Sequence, residues 1–497
     1  VKPPFKHQTE GVEWLLSHPH AVLGDVMRLG KTRQAIDLAQ ALFERKEIDS
    51  AIVVAPGEIA RSVWADPEKG EIVKFTRVPV ELTLIRATKT TTVMNEARWG
   101  KVPLSWYVTN YELARRPERL SALLGLASKR TLLILDEGVA VKSPTSKQTR
   151  AMYDLRQRCG RVVILNGTPS GDNPGDLYAP FKILDPAILG CSNWYQFQAK
   201  YAIMGGFRRL VKRRDEDGKW RKRREPVQIV GWTNLEDLYA RTAPFILRRT
   251  LDQVFPDMPK ALDPVSIEVP LSAESWRRYK QFRDTAILEL ESGRVTAAQA
   301  GVLSLRLSQL TSGYVSGVNG DDEPVDVSRE KLDAVLRWHE ERLEEDNRFR
   351  AILWCRFRYE AERLAAELAK RSETRLLYGG QTPEERTEAV RLLGPGCEDR
   401  AANLVGIART GGLGLDLSGA STTGYVSNDY SFIVREQSEA RPLGPNQKWP
   451  CAYFDWVATG PDGQRTVDHT VLKALRGKED LASWGATAWA AALREEE

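Results

Sequence analysis

The stretch that decides the fold is Leu23-Gly24-Asp25-Val26-Met27-Arg28-Leu29-Gly30-Lys31-Thr32. The apolar run Ala21, Val22, Leu23 feeds a turn. After Gly-Lys-Thr, Ala35, Ile36, Leu38 and Ala39 recur at helical spacing. Strand, loop and helix in that order make a phosphate-binding loop. Backbone N–H groups of Met27, Leu29 and Gly30 and of the helix start face a nucleotide's phosphates, where the helix dipole favours anions. Lys31 would add a point charge on the β/γ-phosphates, and the Thr32 hydroxyl would hold Mg²⁺. Asp25 stands where the general pattern has its first glycine.

Outward from this loop, short apolar strands alternate with helical stretches. Ala51–Ala55 ends in Pro56-Gly57, Trp106–Thr109 in Asn110-Tyr111-Glu112, Thr131–Leu135 in Asp136-Glu137, and Val162–Leu165 in Asn166-Gly167-Thr168-Pro169. All-apolar strands of this kind belong to a parallel sheet covered on both faces. Such sheets bind ligands at the carboxyl ends of their strands, where these polar residues sit. Of the acidic pair, Asp136 can hold Mg²⁺ and Glu137 can polarise an attacking water. Upstream, the helical pattern from Pro4 to Leu16 carries Gln8, either a solvated residue or an amide presented to an adenine edge.

A second alternating α/β region has strands at Ala351–Cys355, Arg375–Tyr378, Asn403–Ile407 and Thr423–Val426. The fold expected is therefore α/β, two parallel-sheet lobes with helical and basic hairpin insertions. The boundaries read 1–186 for the first lobe, 187–265 for a basic insertion and linker, 266–325 for a helical insertion, 326–480 for the second lobe and 481–497 for a tail. At 497 residues the chain has room for roughly two to four domains. In the helical insertion, Trp276, Tyr279 and Phe282 recur at helical spacing and read as core. The loop from Gly317 to Pro324 reads as a hairpin or linker.

The net charge of +5 is small for this length, so its distribution matters more than its sum. Basic residues crowd into two blocks, Arg208 to Arg214 and Lys219 to Arg224, on either side of Asp217-Gly218. That is a hairpin-turn signal. Its arms carry Arg213, Arg214, Arg221, Lys222, Arg223 and Arg224. They are either a solvated charge run or a contact to a nucleic-acid backbone. The five cysteines and five histidines are scattered with no Cys-x-x-Cys, which fits neither a zinc site nor a disulfide framework. A reducing intracellular compartment is expected: cytoplasm, nucleoid or nucleus, or a host cell if the chain is viral. No apolar run reaches the roughly 18 residues of a membrane span. Val1-Lys2-Pro3-Pro4 does not read as a signal peptide.

The constellation resembles the Swi/Snf family of superfamily-two helicase-like ATPases in a compact, motor-only form. His7-Gln8-x-x-Gly11-Val12-x-Trp14-Leu15 is similar to the family's glutamine-containing first helix, and Asp25 to Thr32 to its phosphate loop. Val54-Ala55-Pro56 with Trp64 resembles motif Ia, Thr109-Asn110-Tyr111-Glu112 motif Ib, and Gly167-Thr168-Pro169 motif III. Pro244-Phe245-Ile246-Leu247-Arg248-Arg249, then Met258-Pro259-Lys260, resembles the stretch linking the lobes, and Ser328-x-x-Lys331-Leu332 the entry to the second. Gly411-Gly412-Leu413-Gly414-Leu415-Asp416-Leu417 is similar to motif V, Gln437-x-x-x-Arg441 to motif VI, and Thr466-Val467-Asp468 with Lys478 to the family's tail.

The resemblance implies two RecA-like lobes with ATP and Mg²⁺ in the cleft between them, and Gly412, Gly414 and Gln437 near the nucleotide. It implies Arg441 as the second lobe's cation on the γ-phosphate, and ATP-driven translocation on double-stranded DNA, forked or branched DNA included, by a single-chain motor. DNA contacts are then expected from the strand-end loops, at Arg61, Thr109, Asn110, Arg409 and Thr410, beside the basic hairpin. Two rival readings are a strand-separating helicase and a nucleic-acid-binding protein that hydrolyses ATP weakly or not at all. The sequence departs from the family pattern at Arg28, where a glycine is usual, and at Gly138-Val139, where Ala-His is usual. It departs again at Gly444, where motif VI has its second arginine.

Overall fold

A computed structural model describes the chain except residues 1–2, 58, 86–90, 95–102, 168–172, 206–209, 215–219, 225–227, 292–296, 317–322, 398, 412–414, 478–485 and 496–497. The expectations placed on Thr168, Pro169, Gly412, Gly414, Lys478 and residues 317–322 lie outside the described residues. The chain divides into two compact units, Val1–Val254 and Phe255–Glu497. No described helix is long and apolar enough to cross a membrane.

The first unit is built on β1 (His20–Leu23), β2 (Ser50–Ala55), β3 (Val80–Leu84), β4 (Thr91–Met94), β5 (Leu104–Asn110), β6 (Thr131–Asp136) and β7 (Arg161–Leu165). With β12 (Ile246–Leu247) they form an eight-stranded sheet in the order β12-β1-β7-β6-β2-β5-β3-β4. Only the β3–β4 pair is antiparallel. β2 and β6 are buried along their whole length, as expected for central strands with helices over both faces. Their register, Ser50 opposite Thr131, lets the two hydroxyls bond at 2.9 Å, so the polar ends of two apolar strands are satisfied together. Helix α1 (Lys6–Ser17) precedes β1, and helix α2 (Lys31–Glu44) follows it.

Between β7 and β12 the chain makes an antiparallel arm. β8 (Ala202–Gly205) pairs with β11 (Gln228–Trp232), and β9 (Leu210–Arg214) with β10 (Trp220–Arg224). The two arms of the expected hairpin thus pair antiparallel, while Asp217 and Gly218 lie outside the described residues. The arms' register sets Lys212 opposite Lys222 and Arg213 opposite Arg221. The Pro244–Arg249 stretch, expected as a linker, belongs to the first unit's sheet: Val22 and Leu23 pair with Ile246 and Leu247.

The second unit is a six-stranded parallel sheet in the order β13-β20-β19-β16-β18-β17. Its strands are β13 (Val265–Pro270), β16 (Arg350–Cys355), β17 (Glu373–Leu377), β18 (Ala402–Ile407), β19 (Thr422–Tyr425) and β20 (Ala452–Thr459). The short pair β14 (Tyr314–Val315) and β15 (Val325–Asp326) brackets the loop read as a hairpin or linker. β16 is buried throughout, and Trp338 packs edge-on against Phe349 and Trp456 beneath the sheet. The helices Ala273–Glu291 and Ala297–Thr311 bury Trp276, Tyr279 and Leu307, so the aromatic stripe is core. The stretch 481–497, expected as a tail, contains the helix Ala486–Arg494, and its Trp489 and Leu493 are buried in that same core.

Candidate active site and strand-end loops

The loop after β1 is shaped by two positive-φ residues, Arg28 at 74° and Gly30 at 73°. A Cβ on Gly30 would lie 2.3 Å from Gln8 Nε2, so glycine is required there on two counts. Arg28 adopts the left-handed conformation without being glycine, in the position where the family pattern has one. Leu29 is buried, and its carbonyl is held by His7 Nε2 at 2.9 Å, Gln8 Nε2 at 3.3 Å and Gln34 Nε2 at 3.4 Å. Gln8 also accepts from the Phe5 N–H at 3.0 Å, so its amide braces the loop from α1. Helix α2 opens at Lys31 with no side-chain cap.

Asp25, at the missing glycine, is fully buried. Its carboxylate accepts from Arg249 N at 3.1 Å, Arg249 Nε at 3.0 Å, Arg249 Nη2 at 2.5 Å and Gln34 Nε2 at 3.0 Å. Arg249 also donates to the His7 carbonyl, and its own carbonyl accepts from Val26 N at 3.0 Å. An ion pair between wholly buried Asp25 and half-buried Arg249 thus clamps the loop to the end of β12 and to α1. The sequence held a signal for it, an acid in a glycine position and a second arginine in Arg248-Arg249, but nothing joined the two.

Lys31 Nζ donates to the carbonyls of Asp25 at 2.7 Å and Val26 at 3.4 Å, curled over its own loop. A Cβ on Gly167 would stand 3.6 Å from Lys31 Nζ and 3.7 Å from Met27 Cγ. The segment after β7 therefore lies directly against the loop. Asp136 ends β6, the neighbour of β7. Burial pushes its carboxyl above the usual range, opposed by the Trp64 indole N–H and by the charge of Lys31. Its Oδ2 accepts from Trp64 Nε1 at 2.7 Å and its Oδ1 from the Glu137 N–H at 2.9 Å. Glu137 has φ 50°, a left-handed conformation that is uncommon for a non-glycine residue and is found at functional sites. Gly138 has no room for a side chain: a Cβ would fall 2.3 Å from Ile164 Cγ2, which accounts for glycine where the family has alanine.

Sequence reasoning did not single out Glu71, at the start of helix α3 (Glu71–Phe75). Burial raises its carboxyl to about 7, with Lys74 opposing and Asp136 reinforcing the shift. An isolated glutamate on a helix start gives no local sign of this.

The strand-end residues separate by side chain. Arg61 is exposed on the π-helical turn Ile59–Trp64, with Nε 3.3 Å from the Gly57 carbonyl. Asn110 caps the short helix Tyr111–Ala114 through the Leu113 N–H at 2.8 Å. Thr109 is buried, so its side chain faces the interior rather than a partner. For Arg213, Arg214, Arg221, Lys222, Arg223 and Arg224 the structure gives strand register alone.

In the second unit, Arg409 is exposed and pairs with Asp429 at 3.0 Å, next to the half-buried Thr410. Arg441 is buried just past the helix Phe432–Glu439, and its carbonyl accepts from Leu417 N at 3.2 Å. Gln437 is half-buried on that helix. Arg435 is committed elsewhere: it bonds Asp455 at 2.5 Å and Glu439 at 2.6 Å and lies 3.5 Å over the Tyr425 ring. Gly444 has φ 142°, a conformation open to glycine and strained for arginine.

Residues 7–311, more than half of the chain, match the family model described as the SNF2-related domain. The chain is 28% identical over 267 residues to "Protein CHROMATIN REMODELING 24" of Arabidopsis thaliana, covering 51% of this chain and 22% of that protein. It is 24% identical over 540 residues to the TATA-binding protein-associated factor MOT1 of Saccharomyces cerevisiae, covering 96% of this chain and 27% of that protein. It is 24% identical over 536 residues to the DNA repair protein rhp54 of Schizosaccharomyces pombe, covering 96% of this chain and 58% of that protein. The chain thus spans under two thirds of each relative's length. The SWI2/SNF2 ATPase core of Sulfolobus solfataricus in complex with dsDNA aligns over 99% of this chain and 95% of that one, at 20% identity and a TM-score of 0.41. With its phosphate loop, acidic pair and two parallel-sheet lobes in the family's order, the chain belongs to the SNF2-related family of helicase-like ATPase motors.

Proposed function

We propose that the chain is a DNA-dependent ATPase that translocates on double-stranded DNA without separating its strands. The observation that carries this reading is the convergence of Lys31, Gly167 and Asp136 at the carboxyl ends of three successive sheet neighbours, β1, β7 and β6. The donor set fits a nucleoside triphosphate with Mg²⁺. An uncapped helix start and an ammonium suit phosphates, and a hydroxyl with one carboxylate suits a hard cation that also takes phosphate oxygens. In this reading Lys31 and the loop N–H groups hold the β/γ-phosphates of ATP, Thr32 and Asp136 hold Mg²⁺, and Glu137 orients the attacking water. When bound, Mg²⁺ neutralises charge on the transferring phosphoryl group. Arg441 serves as the second lobe's arginine, since Arg435 is locked to Asp455.

Double-stranded DNA as the partner is supported by relatives named for chromatin remodelling and DNA repair. It is also supported by the hairpin register that sets basic residues opposite one another. A paired strand of clustered basic residues suits a polyanion backbone. The test is the ATP turnover rate alone and with duplex, single-stranded or forked DNA, or RNA. Duplex is expected to stimulate most, with no strand displacement. Stimulation by RNA alone would overturn the substrate, and turnover indifferent to every nucleic acid would overturn the motor.

A further inference from the structure

Two buried aromatic donors, from two different loops, converge on one residue. Trp64 donates its indole N–H to Asp136 Oδ2 at 2.7 Å, and Tyr111 donates its hydroxyl to the Asp136 main-chain carbonyl at 2.8 Å. Both side chains are almost wholly inaccessible. Trp64 closes the π-helical turn whose exposed face carries Arg61, three residues earlier. π-Helical turns are rare and concentrate at functional sites. Tyr111 directly follows Asn110, the strand-end amide whose Nδ2 would lie 3.2 Å from a Cβ on Gly57. The two loops therefore meet at Gly57 on their outer side and at Asp136 on their inner side.

The Trp64 bond is not explained by the need to satisfy a buried indole. Trp106, Trp338, Trp354 and Trp456 are also buried, and their Nε1 atoms have no hydrogen-bond partner among the described residues. Trp106 packs 6.5 Å from Trp64 itself. Each bond also fixes a different part of the acidic pair. With Oδ1 taken by the Glu137 N–H, the indole sets the rotation of the Asp136 carboxylate. The phenol holds the peptide between Asp136 and Glu137, and so the entry to the left-handed Glu137.

We infer that Trp64 and Tyr111 are positioning residues that transmit occupancy of the Arg61 and Asn110 loops by duplex DNA to the acidic pair; this rests on the DNA-dependent ATPase reading. A phosphate that pulls the Arg61 turn moves the indole three residues on, and the carboxylate with it.

The test measures the dissociation constant of a non-hydrolysable ATP analogue with Mg²⁺, with and without saturating duplex, beside turnover with and without duplex. In the parent, DNA is expected to tighten nucleotide binding by a factor in the usual coupling range of about 5–150. Trp64→Phe keeps an aromatic ring and removes the donor, and Tyr111→Phe removes one hydroxyl. Both are expected to bring that factor close to one, while DNA affinity without nucleotide stays within about twofold of the parent. A purely structural role would lower the melting temperature and leave the factor unchanged, which overturns the inference. Should Trp64→Phe fail to fold, Tyr111→Phe decides alone. A parent that no nucleic acid stimulates overturns the functional reading and this inference together; a stimulated parent whose variants keep the factor overturns this inference only.

Discussion

At the scale of single residues, the site combines strained backbone with fully bonded anchors. Arg28 and Glu137 hold left-handed conformations, the first beside buried Leu29 and the second beside Gly138, where Ile164 leaves no room for a Cβ. The chemistry is then carried by few groups. Lys31→Ala is expected to abolish turnover, and Glu137→Gln to stop hydrolysis while an ATP analogue still binds. Arg441→Ala should slow turnover far more than it weakens nucleotide binding, since an arginine finger supplies about 10³–10⁵ in rate. Steady-state turnover beside equilibrium nucleotide binding checks all three. A Glu137→Gln enzyme with parental turnover would show the acidic pair to be misassigned.

Glu71 gives a pH signature. Its folded-state value of about 7 lies above the ordinary 4.5, so between these limits the folded chain holds a proton that the unfolded chain has lost. The stability contributed by that proton is complete below about 4.5 and is lost as pH rises through about 7. Glu71→Gln mimics the protonated form at every pH. Its melting temperature should exceed the parent's by more at pH 8 than at pH 5, and an equal difference at both would contradict the assignment.

At the scale of elements, the antiparallel arm stands apart from the first unit's eight-stranded sheet: among the described residues β9 and β10 form a two-stranded sheet of their own. Its two basic strands lie in register, Lys212 opposite Lys222 and Arg213 opposite Arg221. Replacing Arg221, Lys222, Arg223 and Arg224 by alanine should weaken duplex binding uniformly across sequences. Every phosphate that the arm no longer neutralises should make the slope of log affinity against log salt shallower by about 0.9. Turnover at saturating DNA should largely survive. A fluorescence-anisotropy salt titration checks this, and an unchanged slope would remove the arm from the DNA site.

At the scale of the whole molecule, each unit has its own sheet and its own buried cores. Units with separate cores unfold as separate cooperative systems. Calorimetry is expected to resolve two transitions. Trp489 and Leu493 belong to a core built only from second-unit residues, among them Trp276, Tyr279, Val471 and Leu475. Trp489→Ala should therefore lower one transition, by about 3–5 kcal/mol, and leave the other in place. A single transition that shifts as a whole would show that the units do not unfold independently.

The sequence by itself determined the features with a local signature. Continuous apolar runs with polar residues at their ends marked the central strands β2, β6, β7, β16 and β18 to within one or two residues, because a strand buried on both faces must be apolar along its length. The strand, loop and helix around Gly30, the acidic end of β6 and the antiparallel pairing of the basic arms were legible for the same reason: each follows from contiguous stretches. What lacked such a stretch was decided by the tertiary structure. β12 is two residues long and β13 is exposed along most of its length, so neither carries a burial pattern, and both exist because a neighbouring strand offers its edge. The Asp25–Arg249 clamp joins residues 224 apart, and the Trp64–Asp136 bond joins residues 72 apart. The raised carboxyl of Glu71 and the closed space at Gly138 arise in the same way. A pairwise interaction across such separations, and the desolvation it brings, depends on where folded elements meet, and no local pattern of residues encodes that meeting.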